Sequence, residues 1–232
     1  MPRDTLKNKK LCIGFDPKLF TKKILNIFFF NKYLKYVPIK SNLIDKVWKR
    51  VIKKNKSKFY ILPNRSVGEN YKSKIKKISS NLKKTGADYQ FITACENNAW
   101  LLNIRGQDTK YSPIPNCFVL IDNNKKIKLF CDLEKISSSF KKGFDNIEFI
   151  DFKFTEKVLS EIDNKKFIID KNSCSVYYED IILKKNKILN FPDPIYFLKS
   201  IKKKREIDNI RKAHLYDGSA LTKYLFWLKK NF

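Results

Sequence analysis

Between Tyr71 and Leu183 the apolar residues switch repeatedly between helical and alternating spacing, and that switching confines the chain to an α/β architecture. Ile75, Ile78 and Leu82 fall on one face of a lysine-rich helix that stops at Thr85-Gly86, a helix-ending pair. Alternating or continuous apolar runs predict strands over 89–93, 117–122, 127–131, 147–150 and 167–170. Asn123-Asn124 lies between the second and third of these and marks a β-hairpin. Helices are predicted over 96–102, 136–140, 158–162 and 176–183, and a long polar loop over 103–115. Strands and helices in this order imply a mixed β-sheet flanked by helices.

The stretches on either side are less regular. An apolar run over 11–14 ends at Asp16-Pro17, which reads as a turn or a helix start. Phe20, Ile24, Ile27 and Phe28 give a helical spacing within 20–33, and 34–39 reads as a short strand. Leu43, Ile44, Val47, Trp48, Val51 and Ile52 mark an amphipathic helix. The polar stretch 53–74, with a lone apolar patch at 59–62, is the best linker in the chain. Proline-bearing FPDPIYFLKS punctuates the end of the α/β block. One long helical pattern then fills 205–232, with Ile207, Ile210, His214, Leu221, Leu225 and Leu228 in a stripe widened by Leu215, Tyr224 and Trp227. So wide a stripe calls for a large partner surface, as the opening helix of a further domain would have.

Composition excludes several classes. At 43% hydrophobic and 14% aromatic residues the chain can build a core, so global disorder is ruled out. No apolar run is long enough to span a membrane, and the first ten residues have no secretory h-region, which makes cytoplasmic the default location. The formal charge of +27 would attract polyanions, yet 44 of the 50 basic residues are lysine and they are spread along the chain. That spread suits compositional drift better than a selected nucleic-acid surface, so binding to nucleic acid is expected to be non-specific only. Cys12, Cys95, Cys117, Cys131 and Cys174 form no CxxC pair, and His214 is the only histidine. The cysteines read as reduced, structural thiols and His214 as a core residue of its helix. No phosphate-binding loop, dinucleotide fingerprint, nucleophile elbow or HExxH motif occurs.

One string is specific. TGADYQFITACENNAWLLNIRGQDTKYSPIPNCFVLI (85–121) resembles the second module of the long Xaa-Pro aminopeptidases, members of the creatinase/prolidase-like metallopeptidases. The matching positions are Glu96, Ala99, Trp100, Leu101, Asn103, Arg105, Gly106, Asp108 and Pro113. IGFDP (13–17), NLIDKVW (42–48) and Gly68-Glu69 with Lys74 resemble successive segments of the same family. In the last helix Glu206, Arg211, Ala213, His214, Asp217 and Gly218 resemble the crossing into its catalytic domain.

The resemblance implies an α/β fold of the creatinase N-terminal type in three parts. These are a remnant of a first module (1–70), a second module (71–200), and the start of a pita-bread peptidase domain (201–232). It implies removal of an N-terminal residue that precedes proline, by two divalent metal ions such as Mn held by two Asp, one His and two Glu. Those ligands are expected downstream of these residues, so no catalytic residue and no metal ligand is assigned here. The chain is expected to be inactive alone, with peptide substrate relevant only in the full-length enzyme. Asn103, Arg105 and Asp108 are implied as substrate-proximal, with Arg105 meeting a carboxylate or carbonyl. The alternative is that Arg105 and Asp108 pair to fix the loop, with Trp100 packed beneath. Association through the last helix, as a homodimer or otherwise, is a further expectation. A lysine-rich module that binds RNA or another polyanion, without enzymatic activity, is the other functional reading.

Overall fold

The computed structural model describes residues 11–29, 34–48 and 55–232. The chain begins with β1 (Leu11–Phe15), α1 (Lys22–Phe29), β2 (Leu34–Pro38) and α2 (Leu43–Val47). β1 and β2 pair in parallel as a two-stranded sheet. The helix expected over 20–33 is realised as α1, and 30–33 lie outside the described residues. α2 is shorter than the 43–52 pattern: Trp48 is its C-cap, and 49–52 lie outside the described residues.

The central sheet grows from the alternating runs. β3 (Tyr60–Ile61), α3 (Tyr71–Thr85), β4 (Tyr89–Ile92), α4 (Cys95–Leu102) and β5 (Ile104–Arg105) are followed by the hairpin β6 (Cys117–Asp122) and β7 (Ile127–Cys131). Then come α5 (Ser138–Lys142), β8 (Ile147–Asp151), α6 (Thr155–Ser160), β9 (Lys166–Ile169), α7 (Val176–Leu183), β10 (Lys187–Ile188), α8 (Pro194–Ser200) and α9 (Lys204–Asn231). Six strands join in the order β10-β9-β4-β6-β7-β8. β10, β9 and β4 run parallel, β6 is antiparallel to β4 and β7, and β8 is parallel to β7. The sheet is mixed, as the sequence predicts.

Alternation along the strands sorts the side chains onto two faces. Ile92, Cys117, Val119, Ile121, Ile127, Leu129, Cys131 and Ile168 pack with Ile75, Ile78 and Leu82 of α3. Phe91, Leu120, Phe130, Phe167 and Ile169 pack on the other face with Leu159, Ile181 and Ile182 from α6 and α7. Each of these large side chains contributes roughly 1.5–3 kcal/mol of burial.

Caps set the helix limits. Asn70 accepts the Ser73 N–H at 2.8 Å to start α3, and Gly86 ends it at φ 68°, a left-handed conformation that glycine adopts without strain. In the hairpin turn Asp122 accepts the N–H groups of Asn124 and Lys126, and the positive φ falls on Lys125 rather than on either asparagine.

Three expectations are corrected. The stretch read as a linker is tied into the fold: β3 pairs antiparallel with β5, and Phe59 is 2% exposed in the same core as α3. FPDPIYFLKS closes the block as a helix and not as a break, because Asp193 caps α8 by accepting the Ile195 N–H and Pro194 occupies its first turn. His214 is exposed, since α9 buries none of its residues among those described. Of the cysteines, Cys117, Cys131 and Cys174 are core thiols, Cys95 is half-buried and Cys12 is exposed.

The leading β1–α1–β2 unit is hooked to α7. Val176 and Tyr177, at the start of that helix, donate their N–H groups to the carbonyls of Phe20 and Pro17 at 2.8 and 2.9 Å. Lys22 bridges Glu179 and Asp180 at 3.1 and 3.2 Å.

Candidate functional site

The motif that singles out this chain runs along α4 and the loop after it. α4 is short and its start lacks a side-chain cap, so its position depends on the residues around it. Asn97 donates to the Asp193 carboxylate at 2.9 Å and accepts from Lys199 at 2.6 Å, which ties α4 to α8. Asp193 also accepts from Gln90 of β4 at 2.8 Å, and its burial pushes the carboxyl above its ordinary range. Asn98 donates to the carbonyls of Ile92 and Cys117, which ties α4 to the sheet.

The C-terminal end of α4 collects positive charge, which its exposed carbonyls and helix dipole favour. Lys74 reaches over from α3 and donates to the Trp100 carbonyl at 2.7 Å and to Asn103 Oδ1 at 2.6 Å. Its ammonium lies 4.0 Å from the centre of the Trp100 ring, a cation–π contact. Lys74 is only 2% exposed, and burial lowers its pKa to about 8 despite the negative charges of Glu206 and Glu69. Arg105 donates through Nη1 to the carbonyls of Ala99 and Ile104 at 3.1 and 2.8 Å, and burial lowers its pKa too.

Asn103 takes a left-handed conformation at φ 55° as the C-cap of α4. Both ends of its carboxamide are engaged, with Oδ1 accepting from Lys74 and Nδ2 donating to the Glu69 carbonyl at 2.9 Å. Asp108 forms an ion pair with Lys135 and accepts the Asn116 N–H at 2.7 Å. Arg105 and Asp108 therefore have separate partners, and the loop is fixed without a pair between them. Gly106 passes so close to Pro115 and Phe59 that an added Cβ would lie 2.9 Å from the Pro115 Cα. Trp100 packs against the core beneath Lys74. The tip of the loop points outward: Tyr111 is 94% exposed at φ 63°, and Gln107 and Lys110 are exposed beside it.

Of the residues expected near substrate, Asn103 and Asp108 are thus consumed by the scaffold and Arg105 is half-buried on a helix end. Lys74 was matched only by resemblance, yet its place was visible in the spacing, because it lies on the 74–78–82 stripe with Ile78 and Leu82. Among the described residues, no three His, Cys, Asp or Glu side chains come together as a metal-holding group. No helix among the described residues is long and apolar enough to cross a membrane.

The profile of the Creatinase/Prolidase N-terminal domain matches residues 52–206. The chain belongs to that family. The creatinase/prolidase N-terminal match takes in β3, the whole six-stranded sheet and the first turn of α9. A probable Xaa-Pro aminopeptidase P of Laccaria bicolor is 30% identical over 86% of this chain and 32% of its own length. Xaa-Pro aminopeptidase 1 of Dictyostelium discoideum is 28% identical over 96% of this chain and 37% of its own length. The chain therefore spans about a third of the length of these relatives. Among solved structures, the X-prolyl aminopeptidase of Caenorhabditis elegans, a cytosolic enzyme with a di-nuclear active site, superposes with a TM-score of 0.80 at 23% identity. That superposition covers 96% of this chain and 38% of the enzyme, and confirms the creatinase N-terminal-type fold.

Proposed function

We propose that these residues are the non-catalytic part of a cytoplasmic Xaa-Pro aminopeptidase. The parts are a segment of a first module that ends before β3, a second module that takes in β3 and runs to 200, and the helix that enters the peptidase domain (201–232). The observation that carries this reading is the match to Xaa-Pro aminopeptidases along 86–96% of the chain but about a third of their length. In this proposal a two-metal domain beyond these residues performs the hydrolysis, and α9 leads into it. The second module contributes shape: it holds the 103–115 loop so that Arg105 and the outward-facing tip around Tyr111 border the peptide's path. Asn103 and Asp108 act through the scaffold by fixing that loop.

The 232 residues alone are then inert toward peptides. Incubating them with Xaa-Pro peptides and Mn(II), Co(II) or Zn(II) should release no N-terminal residue. Metal-dependent release that a chelator abolishes would overturn this.

A further inference from the structure

Lys74 stands where three segments distant in sequence converge. Its ammonium binds the end of α4 through the Trp100 carbonyl and the start of the loop through Asn103. Asn103 in turn holds the Glu69 carbonyl. Residues 64–69 are the platform for the first turns of α9. Arg205 donates to the Asn64 carbonyl at 2.7 Å and Asn209 to the Arg65 carbonyl at 3.3 Å. The Glu206 carboxylate rests on Gly68, where an added Cβ would lie 2.7 Å from its oxygen, and it accepts the Lys203 N–H at 2.8 Å.

We propose that Lys74 is a pin that couples the seating of the first turns of α9 to the 103–105 segment. The coupling is electrostatic and geometric together. A buried ammonium needs negative partners and acceptors. Here it finds the α4 carboxyl end and the Asn103 oxygen on one side, and the charges of Glu69 and Glu206 on the other. Arg105 and Lys77 oppose its charge from β5 and α3. Displacing the first turn of α9 would remove Glu206 from this balance and leave the ammonium less favourable where it holds Asn103. The 103–105 segment would then loosen, and conversely. The coupling holds whether or not the chain serves a peptidase.

Two measurements on the 232-residue chain test it. In the Glu206→Gln variant, the NMR titration of the Lys74 side chain should have its midpoint several tenths of a pH unit below that of the unaltered chain. An unmoved midpoint would show that α9 does not reach Lys74 and would overturn the proposal. In the Lys74→Met variant, amide exchange should quicken about tenfold both at 103–105 and at 64–69 with the first turn of α9, while β6 and β7 keep their protection. Faster exchange at 103–105 alone would make Lys74 a local helix cap and also overturn the proposal. Should that variant fail to fold, the Glu206→Gln titration decides, since that change lies at a half-exposed site.

Discussion

A lysine whose side chain is nearly sealed from water makes stability depend on pH in a direction opposite to a surface ion pair. Lys74 has its pKa lowered to about 8 in the fold, from 10.5 when free. Below about pH 8 it is charged in both states, and the full desolvation cost falls on the fold. Between the two values the unfolded chain binds the proton more tightly, so stability rises with pH across that window and levels off above it. Urea midpoints from pH 7.5 to 10 should show this rise, and Lys74→Met should remove the part of it that belongs to this group. Asp108 gives a second prediction. Alanine there strands Lys135, whose side chain is 13% exposed, and the Asn116 N–H, at a cost of about 1–3 kcal/mol in denaturant unfolding. Ile78→Ala, at a fully buried site on the same stripe as Lys74, should cost about 2–5 kcal/mol by the same measurement.

Among the elements, α8 is held at its start by a single carboxylate. Asp193 caps it and also holds Gln90 of β4 and Asn97 of α4. Asp193→Ala should cost about 1–3 kcal/mol and raise amide exchange in α8 and α4 together, which hydrogen-exchange mass spectrometry would read. Elements with several apolar residues in period were legible before any coordinates. Ile75, Ile78 and Leu82 define α3, and Cys117, Val119 and Ile121 define one face of β6, because burial of a face requires that spacing. β3 and β5 are two residues each, too short to carry a period, and they exist because Tyr60 meets Arg105 and Ile61 meets Ile104 across the chain. α8 is not legible as a helix in the sequence, because its prolines look like a break. Only the partnership of Asp193 with the Ile195 N–H turns them into a start. The loop partners were hidden for a similar reason, since nothing near Asp108 in sequence points to Lys135.

For the whole molecule, the two unusual surfaces are α9 and the lysines. Leu221, Tyr224, Leu225, Phe226 and Trp227 are each more than half exposed on one helix. Removing 221–232 should raise solubility and leave the melting temperature of the six-stranded module unchanged. A fall in that temperature would assign the helix end to the module's own stability. The lysine surface should bind duplex or single-stranded nucleic acid without sequence preference and release it near ~0.15–0.2 M salt, a gel-shift titration being the check. The order of the strands has a further consequence, for how the chain is made. β4 pairs with β6 soon after both leave the ribosome, but its other neighbour, β9, begins only at Lys166, after β7, α5, β8 and α6. Until β9 is synthesised, β4 has an open hydrogen-bonding edge, and until α7 follows, the face that carries Phe91 lacks Ile181 and Ile182 as its cover. A nascent chain stalled before residue 166 would therefore be a sticky four-stranded sheet and a natural client for chaperones, whereas one released past α7 could cover its phenylalanine face.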